Sequence, residues 1–246
     1  MESRAYRSLA TFLILMAVMA MATLAIEIPV KPGVDPDPQM VQLYKGLVER
    51  SRAGEEPGHP VIKPTPPVEG PYRGVVLLVD FNDVKHDAAH TVAAFDNIVF
   101  SPANPNSVHS FYIAASSDVP GVSPLTITGE VGGWYELDRN RSYYTQGVGG
   151  VAASEPNCAT VLKEAVLIAD DELDFSDFDA NGDGYVDAVW VVAAGDTWQE
   201  TGSSADFATF YATLSDVFGL EPIEVDGVKI DWFMYGGENE KTGAFA

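Results

Sequence analysis

The sequence predicts a layered domain of the α/β or α+β class, and three segments carry this prediction. Val75–Val79 is a continuous apolar run that ends at Asp80, and Val186–Ala194 is a second such run. Runs of this kind are typical of strands that are buried on both faces in the middle of a sheet. Between them, residues 157–170 place apolar side chains at the i, i+3, i+4, i+7 spacing of an amphipathic helix. Helices between buried strands indicate a sheet that is covered on both sides.

The remaining elements follow from alternation and turn signals. Residues 91–100 and 106–115 suit two short helices, which the turn-rich stretch SPANPN separates. Leu125–Val131 alternates apolar and polar residues, as a half-buried strand does. Because a glycine pair follows this strand, we expect Trp134–Leu137 to continue in a hairpin or meander.

The first 25 residues have the layout of a secretory signal peptide. Arg4 and Arg7 precede the apolar run Leu9–Ile26, and Ala20–Ala22 offers a small-x-small cleavage site. An uncleaved membrane anchor is the alternative, but the run is near the lower length limit for spanning a bilayer. The sequence therefore predicts a secreted, extracellular protein that loses residues 1–25 and has no membrane association afterwards.

Residues 26–70 form a proline-rich segment ahead of the globular part, 71–246. Ten of the sixteen prolines lie between residues 27 and 71, which indicates extended, partly polyproline backbone. Between two proline-rich arms, MVQLYKGLVERSRA has apolar residues at near-helical spacing. A pro-segment with a short helix and a plain linker both agree with this pattern.

Composition excludes several classes of function. The chain has 14 Lys and Arg against 36 Asp and Glu, a formal net charge of −22. Because phosphate contacts need cationic side chains, so acidic a chain is a poor nucleic-acid binder, and anionic membrane surfaces are disfavoured for the same reason. The single cysteine, Cys158, excludes an internal disulfide framework and a cysteine-based zinc cluster. It lies on the apolar stripe of the predicted helix 157–170, where we expect a small buried side chain.

The strongest local motif is a calcium loop. Residues 177–188 read DFDANGDGYVDA and follow the ligand spacing of an EF-hand loop, with Gly184 at the sharp turn. The matching positions offer side-chain oxygens or, for the tyrosine, a backbone carbonyl: Asp179, Asn181, Asp183, Tyr185 and Asp187. Hard oxygen ligands suit calcium, and crowded carboxylates repel one another unless a cation neutralises them. The loop therefore predicts a calcium ion with a structural role.

The match to the EF-hand loop is incomplete. Trp190 stands where the bidentate glutamate is expected, and Asp177 is the candidate to supply the missing carboxylate. A strand follows the loop instead of a helix, so the sequence predicts a calcium loop that leads into a strand. The alternative is an acidic turn held by Asx caps.

Motifs of other common enzyme classes are absent from the sequence. It contains no HExxH, GxSxG, P-loop or CxxC. His86 and His90 are four residues apart but follow a strand end, so an exposed loop is favoured over a metal site without a third ligand. His109 is expected to be a satisfied, partly buried histidine. We assign no catalytic residue.

Several segments, in order along residues 70–246, resemble the immune-inhibitor-A-type secreted zinc metalloproteases. The similar segments are VVLLVDFND (75–83), SVHSFYIAASS (107–117), LTITGEVGGWYEL (125–137), FDANGDGYVDAVWVVAAG (178–195), ETG (200–202) and VDGVKIDWFMYGGE (225–238). The segment 178–195, with the calcium loop and the strand after it, is the closest match. In 203–220 the chain departs from the family, because that stretch has no histidine.

The resemblance implies a zincin-like metalloprotease domain built on a mixed twisted sheet with helices. It also implies hydrolysis of peptide bonds in a protein or peptide substrate by zinc-activated water. In the family a run similar to TGAFA (242–246) immediately precedes HExxH, and this sequence ends there. We therefore expect the chain as given to lack the zinc-binding helix, to be inactive alone and to expose an apolar patch on its sheet. Only the calcium positions are carried over from the family.

Two other functions remain open. One is a non-catalytic secreted calcium-binding protein. The other is an exported glycoside hydrolase that uses carboxylates.

Overall fold

The structure is a computed structural model that describes residues 33–35, 37–53, 71–117 and 123–239. The predicted signal peptide, much of the proline-rich segment and the C-terminal TGAFA run lie outside the described residues. Among the described residues, none of the helices is long and apolar enough to cross a membrane.

The described strands and helices alternate along most of the chain. The strands are β1 (Tyr72–Asp80), β2 (Ile127–Glu136), β3 (Ala188–Ala193), β4 (Phe210–Thr213), β5 (Ile223–Val225), β6 (Val228–Ile230) and β7 (Trp232–Gly237). The α-helices are α1 (Pro38–Ala53), α2 (Val92–Val99), α3 (Val108–Ser116), α4 (Arg141–Thr145), α5 (Cys158–Ala169), α6 (Trp198–Thr201) and α7 (Leu214–Phe218), and a 3₁₀ helix spans Phe175–Phe178. The predicted short helices and the helix 157–170 are therefore present within one or two residues of their expected bounds.

Five strands form one mixed sheet in the order β2-β1-β3-β7-β4. The pairs β1/β2, β1/β3 and β3/β7 are parallel, and β4 runs antiparallel to β7 at the edge. Trp190 of β3 lies opposite Val76 of β1 and Met234 of β7. β5 and β6 pair separately as an antiparallel hairpin. The predicted α/β or α+β class is confirmed as a mixed sheet with helices, and both predicted buried strands are adjacent at the centre of the sheet.

The expected hairpin or meander at Trp134–Leu137 is wrong. β2 runs on through Glu136 and stays parallel to β1, with an irregularity in its register opposite Leu77–Val79. A Cβ on Gly133 would lie 2.3 Å from the carbonyl oxygen of Leu78, and Gly133 has φ +110°. The glycine pair therefore marks a bulge where β2 passes close to the backbone of β1, instead of a reversal of the chain.

The larger core lies on one face of the sheet. Alternate residues of β1 and β3 point into it and pack with the buried face of α5. Asn157 starts α5 with a capping box: its Oδ1 accepts from the N–H groups of Ala159 and Thr160, and its own N–H donates to Thr160 Oγ1. Met40 of α1 is fully buried in the same core, so the helix predicted in the proline-rich segment packs on the domain.

The opposite face of the sheet holds a second, smaller core. Val76 and Leu78 of β1 pack there with Trp190 and Val192 of β3. The helices α2 and α3 lie against β2 and cover this half of the face, with Phe95 among the buried side chains. The predicted two-sided cover is therefore found over β1 and β2.

Candidate functional site

The predicted calcium loop joins the 3₁₀ helix Phe175–Phe178 to β3. Asp179 is the first residue after the 3₁₀ helix, and Ala188 begins the strand. Gly182 and Gly184 have φ of +73° and +86°. The two glycines of the motif thus stand where the backbone adopts a conformation that other residues rarely take.

Asp179 organises the turn of this loop. Its Oδ1 accepts hydrogen bonds from the N–H groups of Gly182 (2.8 Å) and Asp183 (3.1 Å), and its Oδ2 accepts from Gly184 N–H (2.9 Å). One carboxylate therefore accepts from three backbone N–H groups. These hydrogen bonds hold the loop around Asp179, the first predicted ligand position.

The next two predicted ligand positions repeat this local pattern. Asn181 Oδ1 accepts from Asp183 N–H at 2.8 Å, and Asp183 Oδ1 accepts from Tyr185 N–H at 2.9 Å. These are Asx-type turns, which hold the loop in shape through its own side chains. The side chains of Asn181 and Asp183 are therefore held by hydrogen bonds within the loop.

Asp187 connects the loop to the sheet. Its Oδ2 accepts from Arg73 N–H of β1 at 2.9 Å and from Ala180 N–H at 3.2 Å, and its Oδ1 accepts from Asn181 Nδ2 at 3.1 Å. Arg73 lies 114 residues earlier in the chain. This carboxylate thus fixes the position of the whole loop relative to the central strands.

The loop is electrostatically crowded. Burial raises the pKa of Asp187, and the nearby carboxylates of Asp179 and Asp183 raise it further, against the opposing effect of the Arg73 and Ala180 N–H groups. A divalent cation at this point would relieve the repulsion among the three carboxylates. The chemistry of the donor set therefore fits calcium.

The last two predicted ligands, Tyr185 and Asp177, differ in how they are placed. Tyr185 forms a parallel bridge with Lys229 of β6, and the Lys229 N–H donates to Gly184 O. The bridge anchors the loop to the β5–β6 hairpin without using the Tyr185 carbonyl. Asp177 is exposed in the 3₁₀ helix, two residues before Asp179, and its role as a ligand stays a prediction.

Within the part of the chain that the structure describes, no three or more His, Cys, Asp or Glu side chains are arranged to hold a metal ion. In the loop, the carboxylate oxygens accept hydrogen bonds from backbone N–H groups. Calcium binding therefore requires these side chains to move closer to a common centre, and their oxygens have further lone pairs for the ion while they accept from N–H groups.

A second polar cluster lies at the carboxyl edge of the parallel strands. Asp80 ends β1, and both of its carboxylate oxygens are 3.1 Å from His86 Nδ1, while its Oδ1 also accepts from His86 N–H. Glu238 follows β7, and its Oε2 lies 2.8 Å from His90 Nδ1. The Glu238 side chain is 3% exposed and also accepts from Gly195 N–H. Two buried carboxylates thus hold the two histidines of the HDAAH segment.

Aromatic contacts complete this cluster. The rings of His86 and Trp134 stack at 4.3 Å with an angle of 2°, and Trp134 Nε1 donates to the His90 carbonyl. The loop after β1 is therefore fastened to the sheet, and the expectation of an exposed loop is only partly right. Sequence reasoning did not predict that Asp80 and Glu238 hold these histidines. The signal that points to them is an acidic residue at the end of each of two parallel strands.

The expected burial of His109 and Cys158 is confirmed. His109 is buried, with Nδ1 2.7 Å from the carbonyl oxygen of Ile127, so it is a satisfied core histidine. Cys158 is fully buried, and burial raises the pKa of its thiol. Both side chains therefore lie in the interior of the domain.

No protein-family model matches this chain, and no curated protein matches its sequence.

Proposed function

We propose that this chain forms the N-terminal part of a secreted zinc metalloendopeptidase of the immune-inhibitor-A type and binds a structural calcium ion at residues 179–187. The observation that supports this most is the arrangement of the resembling segments. The segment 75–83 contains most of β1, 178–195 contains the loop and β3, and 225–238 contains β7. These three strands are neighbours at the centre of the mixed sheet. Segments that resemble one family in order along the sequence thus form one contiguous unit in space.

The residues that the structure describes do not provide the zinc site that the family implies. Among those residues, no three or more His, Cys, Asp or Glu side chains are arranged to hold a metal ion. The sequence also contains no HExxH. We therefore derive no catalytic step from this chain. In the proposal, zinc ligands and the general base belong to a longer product, which would act on a protein or peptide substrate.

The reading frame beyond codon 246 tests the peptidase proposal. An in-frame HExxH within a few codons supports it, and expression of that longer product is expected to give zinc-dependent hydrolysis of casein. Replacement of the motif's glutamate by glutamine is the matched control, because it preserves zinc binding and removes the general base. A stop codon at this point in the gene, or a zinc-loaded longer product that leaves casein intact, contradicts the proposal.

Thermal melting with calcium and with chelator tests the calcium proposal. A ligand present at about 100 times its Kd stabilises a folded protein by about 2.7 kcal/mol, so we expect a higher Tm in calcium. Asp183→Ala should remove this difference. Asp171→Ala removes an equal charge from an exposed turn beyond α5 and should preserve it. An identical Tm for the unaltered protein in calcium and in chelator rules out the site.

A non-catalytic secreted calcium-binding protein is the second candidate function. The favouring observation is the acidic loop itself, in which the Asp179 carboxylate accepts from three backbone N–H groups. An exported glycoside hydrolase is the third. Casein hydrolysis by the longer product separates the first candidate from both of these.

A further inference from the structure

The second face of the sheet is covered unevenly. α2 and α3 pack against β2, beside β1, while β7 and β4 form the other half of the sheet. On that half, Trp232 and Met234 are only half-buried, and Tyr211 is 50% exposed. Among the described residues, large apolar side chains on this face therefore remain in contact with solvent.

These side chains line a groove of about 340 Å³. Trp190 forms its floor: the indole lies over Gly74, where an added Cβ would come within 2.5 Å of the ring. The indole Nε1 lies 2.7 Å from Met234 Sδ, which satisfies its N–H within the floor itself. The floor is thus buried and apolar.

Tyr211 and Trp232 form one side of the groove. Their rings are 6.2 Å apart with an angle of only 17°. The two rings belong to neighbouring antiparallel strands, so the sheet fixes their spacing. They present parallel aromatic surfaces to anything that lies in the groove.

The opposite end of the groove is acidic. Tyr72 and Asp187 line it. Asp187 is half-buried there and belongs to the loop that also carries Asp179 and Asp183. The net charge of the chain, −22, has the same sign. A ligand with a positive charge at this end is therefore favoured.

We propose that this groove binds a short, basic, proline-rich segment of a partner protein in the polyproline II conformation. Aromatic-lined grooves bind such segments because the polyproline II helix is already formed and its backbone needs no hydrogen-bond partner. The groove lies on the face of the sheet, where strand N–H and C=O groups pair with neighbouring strands. An added β-strand would instead need the unpaired groups of a sheet edge.

The dimensions agree with a peptide of this kind. The groove extends from Tyr72 on β1 to Tyr211 on β4, which is three strand spacings. At about 4.8 Å per spacing this is about 14 Å, and polyproline II rises about 3.1 Å per residue. About four or five residues would therefore cross the groove. A proline ring would lie against Tyr211 and Trp232, and a Lys or Arg would lie near Asp187.

Asp187 links this inference to the calcium loop, and this link rests on the proposed function. A calcium ion at the loop would offset two of the three negative charges of Asp179, Asp183 and Asp187. The acidic end would then be weaker but not abolished. We therefore expect the basic peptide to bind more tightly in chelator than in calcium.

Fluorescence anisotropy with labelled peptides tests the proposal on the full chain. The probe is KPPPKPPPK, and the controls are EPPPEPPPE, which reverses the charge, and KGSGKGSGK, which removes the prolines. We expect only the first peptide to bind measurably. Trp232→Ala should weaken its binding by about tenfold or more, as truncation of a central aromatic anchor does. Trp232→Phe, which keeps an aromatic ring, should weaken peptide binding less.

Phe111→Ala is the matched control, because Phe111 is an aromatic residue on α3 with 64% exposure that lies outside the groove lining. Its peptide binding should equal that of the unaltered chain. Equal binding of the peptide by Trp232→Ala and the unaltered chain, or equal binding of all three peptides, overturns the groove proposal.

A further variant replaces residues 57–70 with Gly and Ser. If the peptide binds only to that variant, the chain's own proline-rich segment is the occupant, and the proposal of a separate partner is wrong.

The two proposals fail in distinguishable ways. If calcium raises the Tm but no peptide binds, the groove proposal fails and the calcium site stands. If the peptide binds through Trp232 with equal affinity in calcium and in chelator, the groove stands and its link to the calcium loop is overturned.

Discussion

At the scale of single residues, buried and half-buried carboxylates hold distant parts of the domain together. Asp187 receives donors from the loop and from β1, and Glu238 receives donors from Gly195, Asp87 and His90. Hydrogen bonds to charged groups contribute more than those between neutral groups, about 1.5–3 kcal/mol each. Such carboxylates therefore connect segments that are distant in sequence.

Cys158 gives a direct test of burial. Its thiol is fully buried in the larger core, and burial raises its pKa, so the reactive thiolate is suppressed. We expect a thiol reagent such as iodoacetamide to leave the native chain unmodified and to modify one cysteine in denaturant. Rapid modification of the native protein, monitored by mass spectrometry, would contradict the packing of α5 against the sheet.

Tyr144 gives a prediction for alkaline pH. Burial is the larger cause that raises the pKa of its phenol, and the hydrogen bond to the Glu164 carboxylate raises this pKa further. Because the folded-state pKa lies above the unfolded value of about 10, this stabilisation is complete below pH 10 and is lost as pH rises further.

We therefore expect Tyr144→Phe to lose less unfolding free energy than the unaltered chain between about pH 9 and pH 11. Urea denaturation across that range measures the difference. At neutral pH the variant should be less stable, because it lacks the hydrogen bond to Glu164. A parallel loss of stability with pH in both proteins would show that Tyr144 ionises normally.

At the scale of elements, local signals set where helices begin, and contacts with neighbouring strands set how β2 ends. The helix 157–170 is predicted from its apolar spacing, and its capping residue Asn157 explains why it starts at Cys158. β2 behaves differently. Gly132 and Gly133 look like a break in the sequence, yet the strand continues because β1 supplies parallel partners as far as Asp80.

The N-cap of α5 is expected to contribute measurably to stability. Asn157→Ala removes the acceptor for Ala159 and Thr160 and the Nδ2 donor to the Ala152 carbonyl. The expected loss is about 1–2 kcal/mol, as for other N-caps. Asn157→Ser, which keeps a capping oxygen, should lose less. Chemical denaturation measures both, and equal losses would mean that the cap itself contributes little.

At the scale of the whole molecule, one nearly buried ion pair joins three loops. Arg141, at the start of α4, pairs with Asp206, donates to the Asp196 carbonyl after β3, and stacks over Phe207. Its own backbone N–H donates to Asp83 after β1. The loops that follow β1 and β3 are therefore linked to the segment before β4 through one residue.

Removal of one partner of this ion pair should lower the free energy of unfolding substantially. Asp206→Ala leaves the guanidinium buried without its carboxylate, which in comparable pairs costs about 3–5 kcal/mol. Because the Asp206 side chain is 19% exposed, solvent should reduce this to the lower end. Lys163→Ala removes a more exposed ion-pair partner and should cost under about 1 kcal/mol. Similar losses in the two variants, measured by urea denaturation, would contradict the structural role of Arg141.

Sequence patterns were sufficient to predict the two central strands, the principal helix, the acidic loop and the burial of Cys158 and His109. These features depend on local periodicity and on the chemistry of neighbouring residues, both of which are visible along the chain. Only the folded domain shows the order of the strands and the continuation of β2. It also shows that Asp80 and Glu238 hold His86 and His90, and that an aromatic groove lies open on the sheet. Each of these depends on which strands become neighbours, because a carboxylate or an indole finds its partner across a sheet and not along the sequence.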